Sequence, residues 1–139
     1  MKMFITLLTA SLLCLSSVAY AGGDHEEVTQ EVRDKAATAK LTKQKRTVAV
    51  YAKGLCCASC AIGVRKKVKE LAFVDTKRFE DGVKLDPKTQ IVTVALKKGK
   101  EVDVVALREA ISNAGYTPVH LYTLQKGSLQ TQAFKKSNK

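Results

Sequence analysis

The run Thr47-Val48-Ala49-Val50-Tyr51-Ala52-Lys53-Gly54-Leu55-Cys56-Cys57-Ala58-Ser59-Cys60-Ala61 decides how the rest of the chain is read. Its opening residues, Thr47 to Tyr51, are mostly β-branched or aromatic, which suits a strand, and Gly54 ends that strand in a loop. Three thiols follow within five residues, at Cys56, Cys57 and Cys60. Beyond them Ala61, Val64, Val68 and Leu71 recur at i, i+3, i+7 and i+10, which is one face of a helix. Arg65, Lys66, Lys67 and Lys69 occupy the rest of that helix. A strand therefore turns into a helix through a Cys-x-x-Cys loop.

Working outward, residues 74–85 read as extended chain with a bend at Asp81-Gly82. Asp86-Pro87-Lys88-Thr89 is a turn, because Asp bonds nearby backbone and Pro fixes φ at the second position. Residues 91–96 (Ile-Val-Thr-Val-Ala-Leu) form the next strand, and a basic loop with Gly99 follows at 97–100. The second helix has both ends written. Asp103 suits its N-cap, Val104, Leu107, Ile111 and Ala114 form its stripe, and Gly115 suits the left-handed residue that closes it. Residues 116–124 supply a last strand. The order β-α-β-β-α-β implies an α+β, ferredoxin-like sandwich, a four-stranded antiparallel sheet with two helices on one face.

The flanks look different. Residues 1–21 have the form of a secretory signal peptide: Lys2 gives a positive start, residues 4–18 are apolar and uncharged, and Ala19-Tyr20-Ala21 places small residues where signal peptidase needs them. The apolar run is short for a span, so no stable membrane insertion is expected after cleavage. Removal of residues 1–21 leaves 118 of the 139 residues and takes the net charge from +11 to +10, because Lys2 is the leader's one charge. That length allows one domain with a modest core. Residues 22–45 read as a charged, flexible or partly helical linker, since the stripe Val28, Val32, Ala36 and Ala39 is too thin to hold a packed position. Residues 125–139 read as a basic disordered tail. The globular domain is then 46–124, expected to be a monomer in the periplasm or outside the cell.

Cysteine chemistry gives the function class. Three cysteines remain after cleavage, an odd number too closely spaced to staple distant elements. In a strand-to-helix loop the helix N-terminus offers free N–H groups and partial positive charge, which favour thiolate over thiol. Thiolate is a soft ligand suited to Cu(I), Hg(II), Zn(II) or Cd(II). With two sulfurs and no neighbouring His, Cu(I) or Hg(II) fit better than Zn(II) or Cd(II), and a closed four-ligand zinc site is not indicated. The same pair can form a disulfide in an oxidising compartment, which is the expected resting form there.

Gly-Leu-Cys-Cys-Ala-Ser-Cys at 54–60 resembles the Gly-Met-Thr-Cys-x-x-Cys loop of heavy-metal-associated domains, found in copper chaperones, metal-pumping ATPases and the periplasmic mercury-binding protein. The resemblance covers residues 46–124 and includes the Ala114-Gly115-Tyr116 exit from the second helix. It implies that Cys57 and Cys60 are the two metal ligands, that Leu55 stands at the family's Met and anchors the loop, and that Tyr116 lies near the metal loop. Cys56 replaces the family's Thr and is either a third ligand or a small apolar substitute. The segment 72–90 is longer than the family pattern, which leaves the second strand's register open.

The expected role is non-enzymatic: a soft-metal carrier or metallochaperone exchanging its ion with a protein that has thiols of its own. Lys66, Lys67 and Lys69, on the helix that leaves the loop, offer a docking surface for an acidic partner. The rival of another class is a thiol–disulfide oxidoreductase, which also opens a helix with Cys-x-x-Cys; no Trp precedes this motif and no Pro lies inside it. Nucleic-acid binding is not expected, because the strands lack an aromatic pair for stacking bases. His25 and His120 read as incidental, and Tyr51, Phe73 and Phe79 as packing residues.

Overall fold

The structure is a computed structural model describing residues 28–135. The signal peptide read at 1–21, His25 and residues 136–139 lie outside the described residues. The element order is α1 (Gln30–Lys43), β1 (Thr47–Lys53), α2 (Ala58–Val68), β2 (Val83–Asp86), β3 (Ile91–Ala95), α3 (Val104–Asn113), β4 (Thr117–Gln125) and β5 (Ser128–Ala133). The strands form one antiparallel sheet in the order β2-β3-β1-β4-β5. Without β5 this is the ferredoxin-like order, with β1 central between β3 and β4.

β1 shows why the sheet is two-sided. Every residue from Val48 to Ala52 is buried. Side chains alternate along a strand, so Val48, Val50 and Ala52 enter one core and Ala49 and Tyr51 another. The larger core lies under α2 and α3, where Leu55, Val64, Val68, Leu107 and Ile111 are fully buried against Val92 and Val94. α3 is capped as its sequence suggests. Asp103 Oδ1 accepts from the N–H groups of Val105 and Ala106, both at 3.0 Å.

Three expectations change. Residues 22–45 are not simply a linker, because residues 30–43 form α1, packed on the opposite face of the sheet. Ala37 and Leu41 bury against Ala49, Tyr51, Ile91 and Tyr122. Arg33, 8% exposed, stacks its guanidinium 3.9 Å from the Tyr51 ring centroid, and Lys40 Nζ donates to Asp86 Oδ2 at 2.7 Å. Burial alone would raise the Asp86 carboxyl's pKa, but hydrogen bonds from Lys40 and Thr89 outweigh it and hold the pKa below the ordinary value. The thin stripe suffices because the sheet supplies the apolar surface and a cation–π contact adds to it. Nor is 125–139 a disordered tail throughout: residues 128–133 form β5, paired to β4 across the two-residue turn Lys126-Gly127, whose φ values of 48° and 84° follow the habit of a type I′ hairpin. The sandwich thus has five strands and three helices rather than four and two, with helices on both faces.

The second strand is also shorter than residues 74–85. Residues 72–82 are mostly turns, with one bridge from Val74 to Leu96. Gly82 makes this possible. Its φ is +79°, and a Cβ there would lie 2.6 Å from Val74 Cγ1 and 2.7 Å from the Asp75 carbonyl oxygen. Gly82→Ala is therefore expected to lose about 2–4 kcal/mol in urea denaturation, from left-handed strain plus overpacking.

Under α1, burial pushes the Tyr122 phenol up from 10.0 to about 12, with the Asp34 carboxylate adding to the shift. A raised folded-state pKa contributes stability that is complete below pH 10 and is lost as pH rises toward 12. Tyr122→Phe should flatten the fall in stability across that window, measured as the difference from wild type.

Candidate metal centre

β1 leaves the sheet at Lys53, and the next four residues build the loop. Gly54 has a φ of +94°, so the chain turns sharply there at little steric cost. Leu55 follows, completely buried in the core under α2 and α3, with its N–H donating to the Ala52 carbonyl at 3.3 Å. That side chain roots the loop, and the residues on either side of it stay at the surface.

Cys56 is exposed and its thiol is free. Cys57 is the N-cap of α2, with extended backbone (φ −146°, ψ 158°). Its Sγ lies 3.4 Å from Ser59 Oγ, and it is disulfide-bonded. Cys60 lies in the first turn of α2. The N-cap and the third helical position are where a helix presents N–H groups without intrahelical partners, so both cysteines stand at the electropositive end. Ala61, Val64 and Val68 bury the inner face of α2, which fixes how the helix meets the loop.

Tyr116 reaches the same place from the far end of the fold. Its N–H donates to the Ile111 carbonyl at 3.3 Å, and that of Gly115 donates to Ser112 at 3.0 Å. These two bonds make the Schellman closure of α3, with Gly115 at φ +93°. The closure sets Tyr116 against Gly54, with Cδ1 3.7 Å from where a Gly54 Cβ would stand. Leu55 lies beneath the loop and Tyr116 beside it.

Of the three lysines read as a docking surface, Lys66 and Lys67 are exposed on α2. Lys69 is partly engaged, 3.2 Å from Asp81, and Arg65 pairs with Glu80. Ile62, which the sequence stripe leaves out, is 64% exposed on α2. It lies one turn before Lys66, and its place off the stripe 61-64-68 is the signal that marks it. His120 sits on the α1 side, 6.3 Å from the Tyr51 ring and 6.2 Å from the Tyr122 ring. It belongs to the second core's surroundings and not to the loop.

Residues 49–117 match the heavy-metal-associated domain. The chain contains a heavy-metal-associated domain. No curated relative and no solved structure matches the chain. The matched stretch begins in β1, spans the loop, α2, β2, β3 and α3, and ends at the first residue of β4, so α1 and β5 are additions on either side of it. Heavy-metal-associated domains bind heavy-metal ions and, as metallochaperones, work with partner proteins. Among the described residues no helix is long and apolar enough to cross a membrane.

The thiol states are directly measurable. Iodoacetamide without reductant should modify Cys56 and spare Cys57, and reduction should add Cys57 to the labelled set, read by peptide mass mapping.

Proposed function

We propose that this heavy-metal-associated domain is an exported soft-metal carrier that holds Cu(I) or Hg(II) between the thiolates of Cys57 and Cys60. The observation that carries the proposal is the placement of both cysteines at the N-terminal end of α2, on a loop rooted by Leu55. Two thiolates stabilised by helix N–H groups suit ions that accept two or three soft ligands. Zn(II) and Cd(II), which favour four ligands, fit less well.

The proposed mechanism is ligand exchange. Cys57, at the start of the helix, gives or accepts the ion first, and Cys60 completes the pair. A partner's thiols replace one sulfur at a time, so the ion is never released to water. Lys66 and Lys67 guide an acidic partner toward the loop, and Ile62 gives it an apolar contact. Cys56, exposed and free one residue before the pair, is proposed as the donor of a third sulfur.

Export is part of the proposal and rests on the signal-peptide pattern at 1–21. It sets a condition on loading. Cys57 is disulfide-bonded, and a disulfide sulfur is not a thiolate ligand. Two electrons from a partner dithiol must therefore reduce it before the ion enters.

Titration of the reduced protein with Cu(I) and Hg(II) against a competing chelator should give one tight equivalent. Cys57→Ser combined with Cys60→Ser should abolish it, and undiminished affinity in that variant would overturn the proposal. X-ray absorption of the Cu(I) form should show a third sulfur that Cys56→Ser removes. The Cys57 disulfide also suits a thiol–disulfide oxidoreductase, the second reading. That activity would turn over insulin disulfides, whereas a carrier should not.

A further inference from the structure

The two edges of the sheet are unlike. β2 is four residues long, carries Lys84 and Asp86, and has Lys40 of α1 reaching across to Asp86. Short length and charge are the usual protections of an exposed edge. β5, at the other edge, is six residues long and contains no charged residue and no proline: Ser128-Leu129-Gln130-Thr131-Gln132-Ala133. Five of the six are exposed. It lies outside the stretch matched to the heavy-metal-associated domain.

The register shows which backbone groups have no strand partner among the described residues. Phe134 N–H donates to the Val119 carbonyl at 3.0 Å, one step beyond the Ala133–His120 pair. In an antiparallel ladder such bonded pairs alternate with non-bonded ones. Gln132, Gln130 and Ser128 therefore direct their N–H and C=O groups at β4, and Leu129, Thr131 and Ala133 direct theirs away from the sheet. Those outward groups form a ready ladder for one more strand.

Beside this edge, on the α3 side, is a slot of about 280 Å³ lined by Val104, Val105, Arg108, Gln132, Phe134 and Lys135. Val105 is 57% exposed although it sits on a packed helix, and Arg108 donates to the Lys135 carbonyl at 3.3 Å across the slot's mouth. Lys126, in the hairpin turn, marks the other end of the strand. The edge is thus polar but uncharged in the middle and cationic at both ends. A chain of net charge +11 repels its own copies, so that pattern selects a partner of opposite sign.

We infer that β5 takes an extended acidic segment of another protein as a sixth, antiparallel strand, with one of its apolar side chains lodged in the slot between α3 and β5. Main-chain bonds to Leu129, Thr131 and Ala133 supply the attachment, and the slot and the terminal cations select the sequence. The inference stands apart from the metal reading, because the surface uses none of the loop residues.

The test uses the full chain and a blocked Glu-Glu-Val-Leu-Val-Glu-Glu peptide as probe, followed by amide chemical shifts at low salt. Saturable shifts centred on Leu129, Thr131, Ala133 and Val105 are expected. Thr131→Pro removes one outward N–H and leaves the β4 ladder intact, as proline on an outward edge position does. It should weaken the probe about tenfold with its melting temperature held. Lys126→Glu with Lys135→Glu should weaken it by a similar factor, because neither side chain takes part in the β4–β5 ladder. Absence of saturable shifts, or equal binding by wild type and both variants, would overturn the inference. A dimer seen by sedimentation without probe, and dissolved by Thr131→Pro, would overturn it in favour of a second copy as the occupant.

Discussion

Burial of β1 on both faces is the constraint on which the rest depends. A strand covered on one side alternates apolar and polar residues; one covered on both sides cannot. Val48, Val50 and Ala52 need α2 and α3 above them, and Ala49 and Tyr51 need α1 below. Because β1 is also central in the sheet order, its backbone groups are taken on both sides by β3 and β4. It is therefore held from four directions up to Tyr51, two residues before the chain leaves for the cysteine loop.

That fixed end makes the loop useful. In the proposed carrier the loop must be accessible, yet its two cysteines must not wander. Leu55 and Tyr116 meet both needs, one by filling the core under the loop and the other by packing against Gly54. They come from opposite ends of the matched domain, so the loop's shape depends on the closed fold and not on local sequence. Cys56, exposed between the buried anchor and the N-cap, is left facing the solvent.

Much of this was legible in the residues. The stripe at Ala61, Val64 and Val68, the Asp103 cap and the Gly115 exit each state a local preference that the fold keeps. What escaped had its signal elsewhere. α1 has few apolar residues of its own, but the apolar run at 48–52, and the run at 91–95 broken by Thr93 alone, announce that both sheet faces are covered. β5 is polar and exposed, so hydrophobic periodicity is silent about it, and the Lys126-Gly127 turn was its one mark. The shortness of β2 depends on the fit of Gly82 against Val74 and Asp75, a tertiary contact that no periodic pattern encodes.

The polar layer beneath α1 has a kinetic consequence. Arg33 Nε, Asp34 Oδ1 and His120 Nδ1 are buried there without hydrogen-bond partners, against Arg65 Nε alone on α2, and the core under α2 and α3 is built of apolar side chains. Buried polar atoms of that kind weaken the contact that holds them. The two sides of the sheet therefore form cooperative units of unequal strength. α1 is expected to open as a separate foldon, trading its amide protons with solvent on a shorter timescale than global unfolding, while the side that carries the cysteine loop stays shut.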